Sequence, residues 1–544
     1  MSQPSSAARL LTRLLAGVAL SVGVLASVQA AQSAATNTPG PYRIAGVLVN
    51  AASGEPVRRG VVQALDESGH AVASSITDNE GRFTLDHLAA AKYQLSGSKR
   101  GFRIQSYDEH DEFATSIVTG PDQDTTHLNF RLAPDALVYG VVTDDNGDPV
   151  ANARVMIFKR PQHPGTGERI ANIETATTDD TGAYEISNVT GGEYLLAVVG
   201  DPWYAVHEGT AAKRNSTLDV VYPITYFDST TEEQSATPIE LTGGMRQEAN
   251  FSLHAVPALR LTIAVPRKPD GSLARPELQQ TIFGNVIASQ SAGFLDAMQT
   301  GSVEMGGIAP GQYELTQGDP PHVVDFNLAA SQQVDPESGS SENSLTGRVR
   351  MLSGAPLPEQ LTMTLDRIDS GPGQSQYVDY AGRGHFEFVR VPPGNYALSA
   401  TADKSVPVVA VGGGARQYAG NTITVRDRMP EITVTLSRAD TRVEGFAKKE
   451  GKGFAGAMMV LLPRNPALWR SLTRRDQTDS DGSFGFRDVA PGQYTAIAIE
   501  DGWRLDWTSS AVMERYLPGG VNVTVTANSG TTLQLPAPVT VQGR

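Results

Sequence analysis

Three of the four tryptophans in this 544-residue chain stand where they could hold a sugar. Trp203 and Trp503 each follow a tyrosine by nine residues, in Asp201-Pro202-Trp203-Tyr204 and Asp501-Gly502-Trp503, and Trp507 comes four residues later. Phe102, in Arg100-Gly101-Phe102, has the same offset. A flat ring packs on the C–H face of a pyranose while a neighbouring Asp or Arg binds the hydroxyls. Phe102, Trp203, Tyr204, Trp503 and Trp507 are therefore the candidate ligand-binding residues. The competing reading is that these rings cap a core or pack against a neighbouring domain.

Other chemistry is sparse. There is no cysteine, which excludes disulfides, thiolate metal sites and cysteine nucleophiles. No His-Glu-x-x-His, Gly-x-Ser-x-Gly or phosphate-cradling Gly-x-x-x-x-Gly-Lys occurs. His110-Asp111-Glu112 is the densest titratable cluster, but it sits in an acidic stretch and reads as a solvated loop. Asp78, Asp179 and Asp479 recur in short turns, where calcium is one reading. These loops hold too few oxygens for six ligands, and Asp suits turns for local reasons. The expectation is no catalytic centre, no metal and no cofactor.

The elements that carry these residues repeat. An apolar residue with Gly two before it and Tyr ten after it occurs five times: Phe83 to Tyr93, Tyr184 to Tyr194, Val303 to Tyr313, Phe386 to Tyr396 and Phe484 to Tyr494. The glycines are Gly81, Gly182, Gly301, Gly384 and Gly482. Alternation in Phe83-Thr84-Leu85 or Phe386-Glu387-Phe388 buries one face of a strand, and the preceding Gly supplies a tight turn with positive φ. A spacing of about a hundred residues suits whole β-sandwiches rather than solenoid repeats.

The expected fold is all-β, a tandem array of about five small antiparallel sandwiches after a signal peptide. The spans are 42–134, 135–256, a degenerate 257–328, 345–439 and 440–544, with polar linkers at 31–41 and 329–344. Residues 1–30 have the positive start, short apolar run and Val28-Gln29-Ala30 end of a secretory leader. Its removal leaves 42 Lys and Arg against 59 acids, a net charge of −17. That acidity argues against nucleic acid as a partner. No later stretch is long and apolar enough to span a membrane as a helix. The chain is expected to be exported in a bacterium, to the periplasm or the cell exterior.

Gly-x-Val near each start, the Gly-x-Pro turn, Thr-Asp-x-x-Gly-x-Phe and Pro-Gly-x-Tyr resemble the carboxypeptidase regulatory-like domain, a prealbumin-like sandwich. Ala91 departs from the pattern where the family has Gly, and the third unit lacks the Thr-Asp turn. The resemblance implies an accessory, non-catalytic module of exported proteins, some of them carbohydrate-associated. With the tryptophan loops it makes a polysaccharide the expected partner. An envelope protein, with the chain acting as a purely structural spacer, is the alternative; that alternative places Trp203 and Trp503 between domains.

Overall fold

The computed structural model describes residues 40–160, 170–207, 217–265, 273, 276–291, 301–317, 322–335, 343–369, 376–381, 383–389, 391–413, 416–527 and 531–544. The leader read at 1–30 lies outside the described residues, as do 31–39 and 336–342 of the two linkers. Strands dominate, and the α-helices among the described residues are the single turns Trp469–Leu472 and Ser510–Met513. No described helix is long and apolar enough to cross a membrane.

One register recurs five times. An opening strand pairs antiparallel with the motif strand and parallel with a closing strand. In the first unit Tyr42–Asn50 lies between Arg82–Leu88 and Leu128–Leu132. The equivalents are Ala136–Asp144 with Ala183–Val189 and Phe251–Leu253, and Leu259–Ala264 with Ser302–Ile308 and Gln332–Val334. They continue with Leu345–Met351, His385–Phe388 and Ile432–Leu436, then Thr441–Lys449, Ser483–Val489 and Thr532–Gln534. The facing sheet is built around an antiparallel pair, such as Val61–Leu65 with Lys92–Lys99 or Met458–Pro463 with Gly492–Ile499. The parallel pair in every unit refines the expected all-antiparallel sandwich: the chain crosses between sheets before its last strand returns beside the first.

Local chemistry explains the recurrence. All five motif glycines have φ between +71° and +83°, the left-handed region that only Gly enters without strain. Phe83, Leu85 and Leu88 face inward, as do Phe484, Phe486 and Val489, so each motif strand closes one side of a core. The motif tyrosine fixes the next corner. The hydroxyls of Tyr93, Tyr194, Tyr313, Tyr396 and Tyr494 donate to the carbonyl four residues earlier, at 2.8–3.2 Å. A buried ring thereby ends in a satisfied hydroxyl, as a tyrosine corner requires. Ala91 leaves this bond in place.

Gly412 and Gly413 lie in the strand Val408–Gly413, paired with Ile432–Leu436. Backbone pairing needs no side chain, so a glycine run can be strand when a neighbour supplies the ladder.

Candidate functional site

The first and fifth sandwiches, far apart in sequence, are clasped together. The clasp is built on the Thr-Asp turn of the fifth unit and on residues 108–118 of the first. Asp479 Oδ1 accepts the Ser116 N–H at 3.0 Å, and its other oxygen pairs with Lys92. Ser480 N–H donates to the Ser116 carbonyl at 2.9 Å, and Val118 N–H donates to Ser480 Oγ at 2.8 Å. Gln477 is buried, and its amide donates to the Asp108 carbonyl at 2.6 Å and to Thr115 Oγ1 at 2.7 Å. Gly456 is the close approach that permits this: a Cβ there would fall 2.5 Å from Asp108 Oδ2.

Aromatic and guanidinium groups complete the junction. The His110 ring stacks on Trp503 at 5.0 Å with 5° between planes, and Phe113 lies 5.9 Å from the same indole. Arg475 sits between Phe113 and Trp507, 5.2 and 4.5 Å from their ring centres. It pairs with Asp111 at 2.8 Å and reaches Glu112 at 3.5 Å. Buried Trp and Arg anchors are what stable protein junctions use.

A polar groove runs along this seam. One lobe of about 690 Å³ is edged by Phe113, Trp507 and Arg474, and a second of about 740 Å³ by Asp66, Gly69 and Asp440. Both share Lys92, Gln94, Ser116, Arg442, Arg487 and Asp488. Burial pushes the Asp476 carboxyl up to about 6, partly offset by the Gly485 N–H that it accepts at 2.6 Å. Burial also raises Asp108, against the opposing charge of His110. Arg474 is lowered by burial and is held by carbonyl oxygens of Asp488, Thr473 and Ser471. Among the described residues no three His, Asp or Glu side chains gather as a metal site would require.

The five ring candidates do not form one surface. Trp503 is buried at 8% exposure, and its Nε1 donates to the Gly456 carbonyl at 3.3 Å. Trp507 is half-buried at the end of the groove. Trp203 is 90% exposed, with Tyr204 edge-on at 5.7 Å. Phe102 is half-buried against the first core under the Lys99 ammonium, and its backbone bridges to Pro134 where the first unit meets the second. Equal spacing from the motif tyrosine thus gives different environments: Phe102 packs on its own core, Trp503 packs on its own sandwich and under His110 and Phe113 of the first, and Trp203 stands in solvent.

The reading of His110-Asp111-Glu112 as a solvated loop is corrected: His110 and Asp111 are engaged by Trp503, Gln477 and Arg475. Sequence reasoning also missed Lys92, Thr115, Arg475 and Gln477. The one available signal was that this acidic cluster has no counterpart in the other repeats.

Residues 43–133 and 138–222 each match the model of the carboxypeptidase regulatory-like domain. Colossin-A of Dictyostelium discoideum is 22% identical over 413 residues, which are 65% of this chain but 4% of that protein. Among solved structures, the streptococcal ancillary pilin has 12% identity and a TM-score of 0.20, over 54% of this chain and 98% of its own. The full-length major pilin RrgB of Streptococcus pneumoniae has 8% identity and a TM-score of 0.16, covering 90% and 93%. The TIE protein of Bacillus anthracis has 9% and 0.16, covering 69% and 68%. These whole-chain superpositions are poor. The family match is local: residues 43–133 and 138–222, which carry two of the turns, motif strands and tyrosine corners described above, match as two tandem carboxypeptidase regulatory-like domains within the all-β sandwich array.

Proposed function

We propose that this chain is a non-catalytic, exported scaffold of the bacterial cell envelope, an array of sandwiches whose first and fifth members are pinned together. The observation that carries the reading is the clasp itself. Trp503, Arg475 and His110, the side chains best suited to holding a ligand or doing chemistry, are used to join two domains. The sandwich repeat supports a structural role, and the leader read at 1–30 supports export. Small-angle scattering of the mature protein tests it. A compact particle that extends when Trp503 is replaced by Ala is expected. Scattering from an extended rod in the native protein would remove the pinned array.

One observation favours carbohydrate binding as a second reading. Trp203 presents nearly its whole ring to solvent beside Tyr204, the geometry a pyranose face needs. Fluorescence titration with neutral polysaccharides, compared with Trp203→Ala, separates the two. A saturable shift lost in that variant supports binding at this loop, and a silent titration leaves the scaffold reading alone.

A further inference from the structure

We infer that the groove along the seam between the first and fifth sandwiches is a binding site for a carboxylated polysaccharide. The site is separate from the exposed Trp203 loop and exists only while the two sandwiches are clasped, so the inference rests on the pinned-array reading. Its central stretch, common to both lobes, brings Lys92 from one sandwich beside Arg442 and Arg487 from the other. In that shared stretch three cations face a single carboxylate, Asp488, in a chain of net charge −15.

Two of them have capacity to spare. Arg487 is exposed and makes no ion pair or side-chain hydrogen bond among the described residues. Arg442 lies across Gly485, where any Cβ would come within 2.7 Å of Nε. Its Nε is 2.9 Å from Glu444 but is not aligned for a hydrogen bond, and its terminal amino groups have no described acceptor. Guanidinium groups left with open donors suit a carboxylate, which accepts two parallel hydrogen bonds.

The rest of the lining selects among anions. Asp66, Glu67, Asp440 and Asp488 face the second lobe, and Glu112, Asp476 and Asp479, the last paired with Lys92, face the first. Carboxylates repel a densely phosphorylated strand such as nucleic acid, yet accept hydrogen bonds from hydroxyls. Gln94 and Ser116 add neutral polar groups, and Trp507 supplies one ring at the far end of the first lobe. Apolar pockets for peptide side chains are lacking in this lining. One carboxylate per sugar to meet the open guanidinium groups, and hydroxyls to donate to the lining carboxylates, describe a polymer of uronic acids. Lobes of about 690 and 740 Å³ have room for a short run of such sugars.

The test uses the full mature chain and fluorescently labelled oligogalacturonate, followed by anisotropy, with neutral dextran and dextran sulfate as competitors. Saturable binding that weakens with salt, resists dextran and falls at least tenfold in Arg442→Gln/Arg487→Ala is expected. Arg487→Ala alone is on the surface and keeps the fold, so a severalfold loss in it supports the site even if the double variant is unstable. Undiminished binding by either variant, or no binding at millimolar sugar, overturns the inference, as does displacement by dextran sulfate but not by unlabelled oligogalacturonate. Small-angle scattering of the native chain separates the two readings: a compact particle that does not bind sinks the groove proposal and leaves the pinned array standing, whereas an extended particle sinks both.

Discussion

Asp479 and Asp179 occupy the same position in their repeats, yet one holds its own turn and the other holds another domain. Asp179 Oδ1 accepts the N–H groups of Thr181 and Ala183 at 2.8 and 3.0 Å. The Asp479 carboxylate receives the Ser116 N–H and Lys92 from the first sandwich and keeps in its own turn only the Ser483 hydroxyl, at 3.2 Å, while Asp481 accepts the Ser483 N–H at 2.9 Å. A turn device shared by the first, second and fifth copies has become a junction in the last. Asp479→Ala should therefore open the array, leaving a partly buried Lys92 unpaired, and should weaken the clasp by roughly 2–4 kcal/mol. Asp179→Ala should disturb only its own turn. Scattering on the two variants checks this, and equal particle dimensions would contradict it.

A disulfide offers a direct reading of the clasp, because the chain has no cysteine to confuse it. The bond from Ser480 N–H to the Ser116 carbonyl brings these two backbones into bridging range. Ser116→Cys/Ser480→Cys should oxidise within one molecule and raise the unfolding midpoint. Free thiols after oxidation, counted by mass spectrometry, would speak against the contact.

The tyrosine corner predicts a modest, uniform penalty. Tyr494→Phe strands the Ala490 carbonyl, which now accepts at 2.8 Å, and should cost about 1–3 kcal/mol in the fifth sandwich. Burial pushes the Tyr494 hydroxyl up to about 12, so the bond should survive to alkaline pH. Denaturant unfolding of the variant measures the loss.

Asp476 gives the seam a pH dependence whose sign follows from its raised pKa. A carboxyl near 6 in the folded chain and near 4 unfolded binds its proton more tightly when folded. Its contribution to stability is therefore full below about pH 4, falls as pH rises to 6 and is level above that. The change is on the order of 2–3 kcal/mol. Asp476→Asn keeps an acceptor for the Gly485 N–H, so the difference between variant and native stability should grow from pH 4 to 6 and then plateau. Chemical denaturation across that range is the measurement.

Tryptophan emission should sort into two classes. Trp203→Ala should remove a red-shifted, quencher-accessible component and change stability by no more than about 0.5 kcal/mol. Trp503→Ala should remove a shielded component and cost about 3–5 kcal/mol, the usual range for deleting a buried indole.

The strands, motif turns and tyrosine corners were legible because their causes lie within a few residues: Gly81 before Phe83, or Tyr93 bonding four residues back. The clasp was not. Gln477 and Thr115 are 362 residues apart, and nothing near either one announces the other. Trp203 and Trp503 show the limit most clearly, since the same offset from a motif tyrosine leaves one ring in solvent and the other under His110. His110-Asp111-Glu112 looked solvated for the same reason: its partners are supplied by a different repeat.

The first–fifth junction also determines how the chain would answer a mechanical pull. Force applied between residues near 40 and 544 would reach the clasp before it reached the three sandwiches between, which hang from it as a slack loop. Its side-chain contacts would part under shear before any core strand was drawn out. Rupture would release the length of three folded domains at once. The array would then behave as an extensible tether with a fuse, lengthening at a threshold load while every sandwich stayed folded.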